Sequence, residues 1–122
     1  MRRLKRSECA ILPLVLKRKW FDMIANGEKK EEYRDFTFYW MRRLHNWIDR
    51  QNSVTAPVIE FRLGYASDAP RMAFLSNGPV GVNGFVMSYC RRAGAAFPQW
   101  GEPNVTHYVI PLGERIVLED TP

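Results

Sequence analysis

The chain has 122 residues, of which 46% are apolar and 25% charged. That composition excludes a fibrous or disordered protein, and the length suffices for one hydrophobic core but not two, so residues 1–122 are expected to form a single domain without a linker. Eighteen Lys and Arg against thirteen Asp and Glu give a formal net charge of +5, a balance that suits polyanionic partners but is shared by proteins that bind none.

Met1 to Arg6 is cationic and precedes the apolar run Ala10 to Leu16, like the start of a secretory signal. The run is too short to span a bilayer, Pro13 interrupts it, and Lys17-Arg18-Lys19 follows where a cleavage site would need small residues. Ile11 to Leu16 is therefore read as a buried strand, with no membrane segment. Cys9 and Cys90 stand far apart without the spacing of a disulfide framework, which points to free thiols and a cytoplasmic location.

Lys17 to Asn26 follows as a helix with Trp20, Ile24 and Phe21 inward, closed by Asn26-Gly27. Glu28 to Arg34 is polar and expected to be extended. From Thr37 to Gln51, Trp40, Met41, Leu44, Trp47 and Ile48 recur at helical spacing, giving an amphipathic helix capped by Asp35 or Thr37. Beyond Pro57 short β-rich runs take over: Val58 to Tyr65, Arg71 to Ser76, Val80 to Cys90, Val105 to Leu112 and Arg115 to Glu119, the last two joined by a hairpin-like connection at Gly113-Glu114. Two helices in the N-terminal half and antiparallel-looking strands later define an α+β domain whose sheet is expected to curl into a small mixed barrel.

The densest chemistry lies in Gly27-Glu28-Lys29-Lys30-Glu31-Glu32-Tyr33-Arg34. In an extended segment, side chains two apart share a face, so Glu32 and Arg34 can point the same way while Lys29 reaches back from the turn. A carboxylate and a cation meeting in one cleft could serve as proton acceptor and stabiliser of developing negative charge, which makes Lys29 and Glu32 the candidate catalytic pair. The bland alternative is a solvated turn with surface ion pairs. In the cleft reading, Lys29→Ala and Glu32→Gln impair binding without altering the melting temperature.

Leu14-x-Leu16, Trp20-Phe21-x-x-Ile24 and Gly27-x-Lys29-x-x-Glu32-x-Arg34 together resemble the signature of the ASCH superfamily, relatives of PUA domains. Trp100-Gly101 and His107-Tyr108-Val109-Ile110-Pro111-Leu112-Gly113 are similar to the closing strand of such domains; the middle, from about Phe36 to Ala96, matches by element order alone. The resemblance implies a β-barrel with a cleft beside the first helix and a role in RNA binding or modification. One bacterial branch hydrolyses acetylated cytidine with the motif Lys and a Thr three residues on; Glu32 stands at that position here, so that activity is not carried over. Another branch is associated with ribonuclease activity, for which Lys29 and Arg34 would hold phosphate and Glu32 would act as base.

Tyr33, Phe38, Tyr39, Tyr65 and Trp100 lie near basic residues, as in proteins that stack single-stranded bases beside a cationic groove, although such rings more often fill a core, as Trp20, Trp40 and Trp47 are expected to do. Arg42, Arg43 and Arg50 on the second helix could track a phosphate backbone or simply face solvent. The ligand-binding candidates are thus Arg34, Tyr33, Tyr65, Arg42, Arg43 and Trp100. Cys9, His45, Cys90 and His107 lack zinc-site spacing, and no Gly-rich phosphate loop or nucleophile elbow occurs, so neither metal nor cofactor is expected. The leading expectation is an RNA- or nucleotide-binding ASCH domain, hydrolytic on RNA or a modified nucleoside if it is an enzyme. The alternative is a protein-interaction module, such as a phage or mobile-element protein acting on a host factor, with a vestigial cleft.

Overall fold

The computed structural model describes residues 1–51, 55–76, 90–92 and 106–120. A short strand, β1 (Arg3–Lys5), precedes a 3₁₀ turn at Arg6–Glu8 and β2 (Cys9–Leu16), where Ala10, Leu12, Leu14 and Leu16 are buried at the period of two that a strand imposes. Helix α1 (Arg18–Ala25) buries Phe21 and Ile24. Gly27, at φ +83°, takes the left-handed conformation that ends it. The Lys29 amide then donates to the Met23 carbonyl at 3.0 Å, so the chain folds straight back on the helix end.

Strand β3 (Glu31–Asp35) follows, then α2 (Phe38–Asp49), capped by Thr37, whose hydroxyl accepts the Trp40 amide at 3.3 Å. Leu44 and Trp47 are its buried residues. Trp40, expected in the core, is only half-buried and packs against the core's margin, because it lies near the helix N-terminus. The remaining strands are β4 (Ala56–Leu63), β5 (Arg71–Ser76), β6 (Cys90–Arg92) and β7 (Thr106–Glu119). Most of the expected strand Val80 to Cys90 lies outside the described residues, as does Trp100.

The hydrogen-bonded order is β1-β7-β5-β4-β2, with β3 and β6 also paired to β7. The architecture is a mixed α+β fold with two helices against a sheet that is open among the described residues; no pairing there closes it into the expected barrel. Two features depart from expectation. Strand β2 pairs with β4 in parallel, and β1 with β7 in parallel, the first of these reached through the α1–β3–α2 crossover that a parallel pair needs. The hairpin expected at Gly113-Glu114 is instead part of one continuous strand: β7 pairs with β3 up to Pro111, then with β5 from Leu112. Between Phe74↔Arg115 and Ser76↔Leu112 the register shifts, which puts a bulge at Gly113-Glu114; the glycine marks a bend where the strand changes partner.

Each face of the sheet has its own core. Leu12, Leu14, Ile59, Phe61, Phe74 and Ile110 pack beneath the helices. Val58, Ala73 and Ile116 cluster on the other face, with Leu4 and Leu118 packed against them. The outer edge of β2 is covered by side chains. Alternate residues of a strand turn their main-chain polar groups to the same side, and the carbonyls of Ile11, Pro13 and Val15 accept from Arg50 at 2.9 Å, Arg43 at 2.8 Å and Arg34 at 3.2 Å. Pro13 suits this row, since it has no amide proton to leave unpaired.

Candidate functional site

The motif after α1 forms a compact charged cluster. Glu32 is 3% exposed, and its two carboxylate oxygens have different partners. Oε1 accepts the Tyr33 amide at 2.9 Å and faces the Lys29 ammonium at 3.5 Å; Oε2 accepts from the Arg34 guanidinium at 2.8 Å. The β3 register explains the pairing of Glu32 with Arg34, since they stand opposite Ile110 and Tyr108 on the same strand face. The turn through Gly27 returns Lys29 beneath them. Its ammonium lies 4.0 Å from the Trp20 ring centroid and 5.1 Å from that of Tyr33, so two aromatic faces replace much of the water a lysine loses on burial.

The side chain of Lys29 is fully buried and that of Glu32 nearly so, at 0% and 4% exposure, so replacing either is expected to cost the fold stability, in contrast to the unchanged melting temperature that a solvent-lined cleft would give. Lys29 borders a separate cavity of about 320 Å³ with Ile24, Gly27 and Gly113, and does not line the cleft that Glu32 and Arg34 border. That cleft, of about 210 Å³, is bounded by Val15, Leu16, Lys17, Trp20, Glu32, Tyr33 and Arg34. Lys17, whose side chain makes no capping bond, precedes α1 at its rim. Lys19 adds a cation 4.6 Å from the Trp20 centroid. Arg34 Nε is buried and finds no hydrogen-bond partner among the described residues.

Arg34 also links the cleft to α2, its guanidinium carbon standing 4.9 Å from the Trp40 centroid, with Arg43 4.8 Å from that ring. Arg43 therefore stacks on Trp40 and closes the β2 edge; sequence reasoning offered only phosphate contact or solvation for it. Arg42 lies farther out, 5.7 Å over Phe38, and does not line the cleft. Tyr65, past the end of β4, is 85% exposed and also absent from the lining. The Tyr33 hydroxyl donates to Glu31 Oε2 at 2.7 Å, which fixes its ring as a wall of the site. Thus Lys29, Glu32, Tyr33 and Arg34 come together, Arg43 adjoins them, and Arg42 and Tyr65 do not join them.

A second charged cluster was not anticipated. Glu60, 6% exposed in the middle of β4, accepts from both terminal guanidinium nitrogens of Arg6, Nη1 and Nη2, and faces Arg71 at 3.9 Å; Arg6 Nε also donates to Asp120 at 3.0 Å. The hydrogen bond to Glu60 holds the Arg6 guanidinium above its ordinary pKa. A cleft of about 360 Å³ opens here between Arg6, Glu60, Arg71, Arg115 and Asp120, on the sheet face away from the helices. A Glu inside the apolar run Val58-Ile59-Glu60-Phe61 was the available signal, because a carboxylate in a buried strand needs a cation. Nearby, burial pushes the Cys9 thiol up, reinforced by Glu8, and the thiol donates to the Lys5 carbonyl at 3.3 Å.

No helix among the described residues is long and apolar enough to cross a membrane. No family model matches the chain, and neither curated proteins nor solved structures give a match.

Proposed function

We propose that the chain is an ASCH-type domain of PUA-like fold, its sheet curling toward a barrel around β7, and that it binds RNA or a nucleotide-like ligand in the cleft between the start of α1 and β3. The observation that carries this reading is Glu32 held between Lys29 and Arg34 beside the Trp20 ring. Each part has a use. A carboxylate accepts hydrogen bonds from the amino and imino groups of a base edge, an indole offers a stacking face, and Lys17 with Arg34 supplies charge for a phosphate. A cleft of about 210 Å³ is smaller than the roughly 300–1,000 Å³ that holds drug-sized ligands, and suits one base or nucleoside. The location that fits this role is the cytoplasm.

If the site turns its ligand over, Glu32 is the proton acceptor, with Lys29 fixing its position and Arg34 stabilising negative charge on the substrate. The test is a titration of the protein with nucleoside monophosphates, short single-stranded RNA, duplex RNA and DNA across a salt series. Arg34→Lys is run alongside, and the RNA is assayed for cleavage. Salt-sensitive binding weakened by Arg34→Lys supports the site, since lysine keeps the charge but loses the planar fork and the stack on Trp40. Cleavage makes it hydrolytic. No binding to any of them overturns the reading in favour of a protein partner.

A further inference from the structure

Five large hydrophobic residues are exposed among those described, and three of them lie together, Phe36 at 43% just before α2 and Phe38 at 69% and Tyr39 at 62% in its first turn. Exposed rings concentrated at one helix end mark an interaction surface. Each α2 ring is backed by an arginine one turn on: Arg42 lies 5.7 Å over Phe38, and Arg43 5.9 Å over Tyr39. Tyr39 in turn meets Trp40 edge-on at 5.2 Å, and Trp40 carries Arg34 of the cleft at 4.9 Å. A continuous series of rings and guanidinium groups therefore runs from Glu32 in the cleft to the exposed end of α2.

We propose that this surface is a second subsite, in which Tyr39 and Phe38 stack the bases that flank a nucleotide held in the cleft, so that the ligand is a single-stranded nucleic acid and not a free nucleotide. The proposal rests on the nucleotide-binding reading of the cleft and extends it. Charge selects the occupant: Arg34, Arg42 and Arg43 stand against the rings of this series, with Glu32 paired to Arg34, a cationic excess that suits a polyanion. The rings add the requirement for planar groups, and a ring with a guanidinium on one face gains further from a base on the other. A duplex fits poorly, because its bases are already stacked and its edges, not its faces, are available.

The test measures affinity at fixed salt for a nucleoside monophosphate and for single-stranded RNA of two, four and six nucleotides, using the full chain and the Phe38→Ala/Tyr39→Ala double variant. Both rings are exposed, so thermal melting should confirm an unaltered fold. Affinity should rise with length in the wild type, and the double variant should bind the longer strands at least roughly five- to 150-fold more weakly, the range for losing one stacked base and hence a lower bound for losing two, with mononucleotide binding unchanged. If longer strands bind the wild type no tighter than the mononucleotide, or the double variant binds them equally well, the second subsite is wrong while the cleft stands. If the double variant also loses the mononucleotide, the rings belong to the cleft and the subsite is again overturned. If neither mononucleotide nor any strand binds the wild type, the cleft reading itself fails and takes the subsite with it.

Discussion

The ammonium of Lys29 stands 3.5 Å from Glu32 Oε1, and Arg34 occupies the other oxygen at 2.8 Å, so one buried carboxylate sits between two cations contributed by a turn and a strand. Removing either neighbour leaves charge in a poorly solvated place. Lys29→Ala should cost about 3–5 kcal/mol, the range for breaking a buried pair by deleting one partner. Lys29→Met, which keeps most of the volume against Trp20 and Tyr33, should still lose the charge compensation. Urea denaturation of both variants checks this; a Lys29→Ala midpoint equal to wild type would mean that the ammonium is solvated.

The Arg6–Glu60 pair ties the N-terminal segment to the middle of β4. Arg6→Ala leaves Glu60 facing Arg71 at 3.9 Å, and should destabilise by about 2–3 kcal/mol, toward the low end for a buried pair because the Arg6 side chain is 31% exposed. Adding Glu60→Gln should recover part of the loss, since the uncompensated charge goes. A double-mutant cycle on unfolding free energies measures the coupling.

Trp47 and Trp40 are on the same helix but differ in burial. Trp47 is 5% exposed and its indole donates to the Ala10 carbonyl at 2.8 Å, so Trp47→Ala should cost about 3–5 kcal/mol. Trp40→Ala should cost less, about 1–3 kcal/mol, because the ring is half-buried and part of its contact is with the Arg34 and Arg43 guanidinium groups instead of with the apolar core. Thermal denaturation of the two variants gives the order; the reverse order would contradict the placement of α2.

Cys9 gives a pH-dependent signal. Its thiol is raised above its ordinary pKa by burial, so the folded chain holds the proton more tightly than the unfolded one. The resulting stability is fully present below the thiol's unfolded pKa and is lost as pH rises through the folded value. In a Cys90→Ser background, alkylation of the native protein should be slower at neutral pH than that of the urea-unfolded chain and should accelerate only at more alkaline pH. Equal rates for the two forms would show that Cys9 is open to solvent.

Much of the local structure was legible in the sequence, and the reasons are physical. A short apolar run identified β2 and apolar period identified α2, Asn26-Gly27 marked the end of α1, and residues two apart on an extended strand brought Glu32 and Arg34 together. Partner choice was not legible. The parallel pairing of β2 with β4 depends on the crossover between them, and a bulge at Gly113-Glu114 has the same local composition as a turn, differing only in what the strand meets on either side. The burial of Lys29 was hidden as well, since a charge run reads as solvent face until the Trp20 and Tyr33 rings are seen around it. Pro13 was the overlooked clue that β2 is an edge, and with it the edge-covering role of Arg34, Arg43 and Arg50.

The central claim is that the cleft between α1 and β3 holds a nucleotide unit, and backbone amide and indole NMR shifts during titration with short single-stranded RNA test it most directly. The account predicts that the shifts concentrate at Lys17, the Trp20 indole and Glu32 to Arg34. Shifts confined to the cleft around Arg6, Glu60 and Arg71, or none at saturating RNA, would contradict it.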